Sequence, residues 1–176
     1  MKSIIYDDLY HYSGTRSLKH LFRYLFFALG FIYIYRQCKK KNWLFPLYFL
    51  LLKYHQIKYG IQIPYQTEIG RGFRIAHFGN IVINPEAKIG TNFNIANGCT
   101  IGNSGGTLKG VPIIGNFVSM QANCVVVGGI KIGNNVLITP NAFVNFDVPD
   151  NRIVIGQKAK IIYKELASDF QITYKV

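Results

Sequence analysis

Four histidines stand in the chain, His11, His20, His55 and His77, and imidazole is the side chain that exchanges protons near neutral pH. Only His77 lies in the stretch where glycine and asparagine are frequent, in the string Phe73-Arg74-Ile75-Ala76-His77-Phe78-Gly79-Asn80. A lone histidine is ordinarily a surface or structural residue, so its surroundings must carry the argument. Further on, Gly102-Asn103-Ser104-Gly105-Gly106-Thr107-Leu108-Lys109-Gly110 offers backbone N–H groups, the simplest donors to a developing oxyanion. An alcohol is a poor nucleophile until a base takes its proton, and an imidazole of pKa about 6.5 can do so during attack. Cys38, Cys99 and Cys124 are odd in number and lack metal-type spacing.

The elements that must position these groups are announced by a six-residue beat from about Ile63 to Val148. Aliphatic residues recur at Ile63, Ile69, Ile75, Ile83, Ile89, Ile95 and Ile101, and again at Ile114, Met120, Val126, Ile132, Ile138 and Val144. Four places after most of them comes a second small or apolar residue, among them Phe73, Ala87, Phe93, Cys99, Val118, Cys124, Val136 and Ala142. A period of six fits neither a helix nor a simple strand; it predicts a parallel β-helix of one short strand and one corner per hexad. Ile75–Ile83 is eight residues rather than six, which predicts a bulge near Phe78–Asn80, beside His77. Ile101–Ile114 predicts a loop pushed out of the prism. Cys99 and Cys124 fall on inward small positions and read as core residues in a reducing compartment. After Pro149, Asn151–Lys160 reads as a last irregular turn and Ile161–Phe170 as a short helix.

The net charge of +12 is uneven: residues 1–60 hold ten Lys/Arg against two Asp, and residues 61–176 hold ten against six acids. Leu18–Arg36 and Trp43–Tyr59 predict helices joined by a cationic turn, Cys38-Lys39-Lys40-Lys41-Asn42. The uncharged runs within them, Tyr24–Tyr35 and Trp43–Leu52, fall short of the roughly 20 residues of a spanning helix. Two readings stay open for this segment: a helical cap on the end of the β-helix, or a hairpin in a membrane interface with lysines on anionic head groups. No early apolar stretch resembles a signal peptide, so the expected place is the cytoplasm, with peripheral contact of residues 18–59 at the inner face of the membrane. The organisation expected is 1–60 helical, 61–160 β-helix and 161–176 a tail.

The string around His77 resembles the segment that holds the catalytic histidine in the serine acetyltransferase branch of hexapeptide-repeat acyltransferases. It is similar also to strings in the capsule and colanic-acid polysaccharide O-acetyltransferases. The resemblance continues through Thr100-Ile101-Gly102-Asn103, Pro112-Ile113-Ile114-Gly115, Val127-Gly128-Gly129-Ile130-Lys131-Ile132-Gly133, Asp147-Val148-Pro149-Asp150-Asn151 and Gly156-Gln157-Lys158-Ala159-Lys160, covering roughly residues 60–160. The first 60 residues do not match the long helical domain of serine acetyltransferases. The resemblance implies a mainly β chain, a left-handed parallel β-helix, assembled as a homotrimer with acetyl-CoA between neighbouring prisms. It implies His77 as general base, with no acyl-enzyme and no metal. Gln62 stands where the family has an aspartate that orients the histidine, and Ala76 replaces another; Asn80 and Asn84 are candidates on the acceptor side. The arginine and second histidine that help bind serine fall at Gly110 and Val111. Matching positions for CoA are Gly102, Asn103, Ser104, Ala122 and Pro140, with Lys158 and Lys160 beyond.

Those departures point away from L-serine and toward a sugar hydroxyl of a surface polysaccharide or its lipid-linked precursor. Serine O-acetylation and N-acetylation of an amino sugar are the alternatives within the enzyme class. A zinc hydratase needs about three histidine ligands where the repeats offer one. A non-enzymatic scaffold or nucleic-acid binder would call for a basic stripe along the repeats, and the charge does not form one.

Overall fold

The computed structural model describes residues 2–14 and 28–156. Three helices come first, α1 (Lys2–Ser13), α2 (Ala28–Lys39) and α3 (Phe45–Tyr59). Short strands follow in chain order: β1 Ile61–Gln62, β2 Glu68–Ile69, β3 Arg74–Ile75, β4 Ile81–Ile83, β5 Lys88–Ile89, β6 Asn94–Ile95 and β7 Thr100–Gly102. After the loop come β8 Ile113–Ile114, β9 Ser119–Met120, β10 Val125–Val127, β11 Lys131–Ile132, β12 Val136–Ile138, β13 Phe143–Val144 and β14 Arg152–Val154. All pairings between them are parallel, and every third strand joins the same sheet as far as β13, after which β14 pairs with β12. The first sheet is β1-β4-β7-β10-β13, the second β2-β5-β8-β11, the third β3-β6-β9-β12-β14. The chain is therefore a three-sided coil, a left-handed β-helix and an exception to the usual right-handed crossover.

The hexad period builds it because each side needs one inward residue. Ile83, Ile101, Val126 and Val144 stack inside the first sheet, Ile69, Ile89, Ile114 and Ile132 inside the second, and Ile75, Ile95, Met120 and Ile138 inside the third. All twelve are buried, each worth roughly 1.5–3 kcal/mol of transfer free energy.

Departures from the period appear as coil lengths. Val82 pairs with Thr100, and Val125 with Phe143, eighteen residues on in each case. Ile61 pairs with Ile81 twenty residues on, which is the bulge after β3. Thr100 pairs with Val125 twenty-five residues on, which is the extruded loop. That loop is not free: Ser104 and Gly110 exchange backbone hydrogen bonds at its neck, and Gly129 N–H donates to the Leu108 carbonyl at 2.9 Å. The expected irregular turn at Asn151–Lys160 is corrected in part. Arg152–Val154 is a strand, paired with Val136–Ile138 sixteen residues back, and a coil two residues short concealed it from the hexad count. The helix expected at Ile161–Phe170 lies outside the described residues.

The first coil has no preceding coil to satisfy its backbone, and the helices supply partners instead. Asp8 accepts from Phe73 N–H at 2.8 Å and pairs with the buried Arg36, which donates to the carbonyls of Ile69 and Gly70 at 2.6 Å. Tyr12 hydroxyl accepts from Ile75 N–H at 2.8 Å, and Tyr35 hydroxyl donates to the Thr67 carbonyl. Helix α1 was not anticipated by the sequence reading. The helix expected from Leu18 begins at Ala28 among the described residues, and the one expected from Trp43 begins at Phe45. No helix among the described residues is long and apolar enough to cross a membrane.

Candidate active site

His77 stands on the corner between the third and first sheets, in the two-residue bulge after β3. The bulge has a firm base. Ala76 N–H donates to the Ile95 carbonyl at 2.8 Å, and the Gly79 carbonyl accepts from Gly98 N–H at 2.9 Å. Gly79 (φ 110°) and Asn80 (φ 52°) take left-handed conformations to turn the chain into β4. From the other side the end of α3 closes on it. Phe78 and Tyr59 pack edge to face with centroids 5.6 Å apart, and a Cβ at Gly60 would stand 3.2 Å from Asn80 N. The backbone is thus wedged between α3 and the next corner, while the His77 side chain is exposed to solvent.

The pairing register aligns one residue of each lower coil along this corner. Ile95 pairs with Met120, Met120 with Ile138 and Ile138 with Val154, so two places on come Asn97, Ala122, Pro140 and Gly156. In the first coil the Gly79 carbonyl takes the matching place above Asn97, and His77 lies beside the column in the bulge. Backbone hydrogen bonds hold the column: Asn123 N–H to Asn97 carbonyl at 2.9 Å, and Asn141 N–H to Ala122 carbonyl at 3.0 Å. No residue in it is large, so this edge is a shelf along which an extended molecule can lie. Ala122 and Pro140, expected on sequence grounds, belong to it. Asn97 was missed, because its place in the column follows from the coil lengths and not from the hexad count.

Other expected residues stand elsewhere. Gly102, Asn103 and Ser104 leave the first sheet at its opposite edge, where it turns into the second. A side of about six extended residues separates that edge from His77, roughly 20 Å, beyond the reach of any side chain. Asn84 sits at that far edge and serves the turn there, its Oδ1 accepting from Glu86 N–H at 2.9 Å. Gln62 is exposed on the outer face of the first sheet, beside Val82, and lines a shallow groove with Lys53, Gln56, Ile57 and Pro64. Asn80 alone shares His77's corner within the bulge. Lys158 and Lys160 lie outside the described residues.

The three thiols are closed off from substrate by burial, although the hydrogen bond with Cys124 holds the Cys99 thiol below its ordinary value. Cys99 and Cys124 are buried in adjacent coils, donating to the carbonyls of Gln121 and Thr139 at 3.0 Å, and the hydrogen bond from Cys99 together with burial pushes the Cys124 thiol up. Burial pushes Cys38 up to about 11.

The three-sided parallel β-helix of hexads is the fold of serine acetyltransferases, and sequence relatives place the chain among the hexapeptide-repeat acyltransferases. This chain belongs to that family and is an acetyltransferase. It is 38% identical over 128 residues to an Escherichia coli strain K12 protein described as "Putative colanic acid biosynthesis acetyltransferase WcaB", a match covering 70% of this chain and 79% of that one. It is 39% identical over 108 residues to the serine acetyltransferase of Helicobacter pylori strain 26695, covering 60% and 63% of the two. Among solved structures, serine acetyltransferase isoform 3 of Entamoeba histolytica in complex with cysteine superposes with a TM-score of 0.69 and 26% identity, over 96% of this chain and 63% of that one. Serine acetyltransferase of Brucella abortus strain S19 in complex with coenzyme A shares the fold, with a TM-score of 0.70 at 22% identity over 92% and 66%. This chain thus spans about two thirds of the length of those structures. No family model matches it.

Proposed function

We propose that the chain transfers the acetyl group of acetyl-CoA to a sugar hydroxyl of a surface polysaccharide or its precursor, with His77 as the general base. The observation that carries this reading is the exposed His77 at the head of the narrow-residue shelf formed by Asn97, Ala122, Pro140 and Gly156. A pantetheine arm laid along such a shelf brings its thioester to the imidazole. His77 takes the hydroxyl proton as the oxygen attacks the thioester carbonyl. The tetrahedral oxyanion collapses by breaking the C–S bond, and the imidazolium returns the proton to the departing CoA thiolate. The thiols take no covalent part.

The site is completed by a second copy. Gly102, Asn103 and Ser104 and the His77 shelf lie on opposite edges of one sheet, so three prisms packed side by side bring the loop of one against the shelf of the next. The outward residues of that sheet, Gln62, Val82, Thr100, Val125 and Phe143, carry no charge, as a self-associating face requires. Backbone N–H groups of the neighbour's loop would receive the oxyanion. Lys158 and Lys160 are assigned to the phosphates of CoA.

A saccharide is favoured over L-serine by the residues present. Gly110 and Val111 offer no charged partner to an amino acid's carboxylate, and Gln62 and Ala76 supply no aspartate. The likeness to serine acetyltransferases supports the second reading, O-acetylation of serine. Turnover of acetyl-CoA against L-serine, amino-sugar nucleotides and deacetylated surface polysaccharide separates them. Saccharide-dependent release of CoA, lost by about 10²–10⁴-fold in His77→Ala with CoA binding kept, is the expected result. Release driven by serine alone, or undiminished turnover in that variant, would replace this reading.

A further inference from the structure

Helix α3 has two apolar faces and only one is used. Leu52 is 1% exposed against the fold, and Gln56 donates to the Ile63 carbonyl on the same side. Outward, Leu47, Leu50, Tyr54 and Ile57 recur at steps of three, four and three, which places them in one row along the helix, and Trp43 stands in the turn just before it. They are exposed, Trp43 by 86%, Leu50 by 67% and Ile57 by 85%. Such a row on a folded surface marks a docking face.

We propose that this face docks on an anionic lipid surface, lying in the head-group region parallel to the bilayer. The charge around it selects that occupant. Residues 9–67 contain no Asp or Glu, while Lys53 and Lys58 flank the row and Lys39, Lys40 and Lys41 precede it. A second copy of α3 laid along the row would set these lysines against each other, which disfavours self-pairing. A helix of 15 residues is about 22 Å long, short of the roughly 30 Å hydrocarbon core, so it lies on the membrane and does not cross it. Lys53 and Lys58 already fold their ammonium groups over the rings of Phe49 and Tyr54, 5.6 and 5.5 Å from the centroids. That arrangement keeps the charge level with head groups while the aromatic bodies sink. The docking itself is independent of the acetyl-transfer reading. With that reading it has a consequence, since Tyr59 and Gly60 at the end of α3 abut Phe78 and Asn80 beside His77. The base then stands at the lipid side of the molecule, where a lipid-linked acceptor presents its sugar.

Trp43 is the only tryptophan in the chain, so the intact protein carries its own probe. With vesicles of phosphatidylglycerol and phosphatidylcholine, Trp43 emission is expected to move to shorter wavelength and brominated lipid to quench it. Phosphatidylcholine alone should produce neither effect. Leu47→Glu with Leu50→Glu, both on the exposed row, should lower partitioning about tenfold or more with an unchanged melting curve. Equal binding to neutral vesicles, or binding undiminished in the double variant, would overturn the proposal. So would an emission already blue-shifted without lipid and unmoved by it, the sign of a protein partner on this face. Quenching needs no variant, so unquenched emission from wild-type protein pelleted with anionic vesicles would overturn it even if the double variant misfolds.

Discussion

Phe117 holds φ 57° in a column of corners where Gly72, Asn92, Asn135 and Asn151 also turn left-handed. Asparagine tolerates that region and can bond locally; a bulky side chain is strained there by about 1–2 kcal/mol. Phe117→Asn is therefore expected to raise stability by about 1 kcal/mol, read as a higher urea midpoint, unless the exposed ring is held by a partner in the assembly. The opposite sign belongs to Gly90. A Cβ there would stand 2.6 Å from the carbonyl oxygen of Gly115, a backbone atom that cannot swing away. Gly90→Ala should cost about 1–3 kcal/mol, visible as a lower melting temperature with the same fold. The sequence showed the place of Gly90, since small residues follow the inward aliphatics at Gly70, Gly90, Gly115 and Gly133. It did not show the strain at Phe117, because a corner residue's φ leaves no trace in composition. The same distinction holds for the site. The bulge that holds His77 was legible from the eight-residue interval Ile75–Ile83, whereas the column of Asn97, Ala122 and Pro140 needed the coil lengths.

Among the elements, the contact between α1 and α2 depends on Arg36 and Asp8. Removing the carboxylate leaves a buried guanidinium short of its partner, at a cost of about 3–5 kcal/mol. Asp8→Ala should therefore loosen the helices first, and limited proteolysis would cut within residues 2–39 while the hexad coils stay protected. Nothing in the periodicity announced this pair. An aspartate near the amino end and an arginine in a hydrophobic run are ordinary in sequence, and only the unsatisfied backbone of the first coil gives them work. Acid should act on α1 and α3. His11 and His55 are both held below the ordinary histidine value of 6.5, chiefly by burial. The unfolded chain then binds more protons than the folded one below that value, so stability present above it is lost as pH falls. Urea midpoints should drop between about pH 7.5 and about pH 5.5, and replacing both histidines by glutamine should flatten that slope. A midpoint unaffected by acid in this window would place both rings in contact with water.

For the whole molecule, the separation of His77 from Asn103 across one face makes a prediction that a self-sufficient monomer would fail. His77→Ala chains and chains lacking residues 104–109 should each be inactive. Refolded together at equal ratio, they should recover about a quarter of the interfaces with both parts intact, and activity in proportion. Mixtures as inactive as their components would mean that base and loop do not meet between copies. The hexad count sufficed for the columns inside the prism, because inward positions share one chemistry. It could not assign residues to edges, since two insertions and one shortened coil shift the phase at each step.

The pinning of Asp8, Tyr12, Tyr35 and Arg36 onto Phe73, Ile75, Thr67 and Ile69 also bears on how the protein is made. Each of these partners leaves the ribosome within about 65 residues of the other, and each later coil needs only the coil before it. Synthesis can thus lay down a finished starting platform before most of the prism exists. Growth then proceeds in one direction, like masonry raised course by course on a foundation already set.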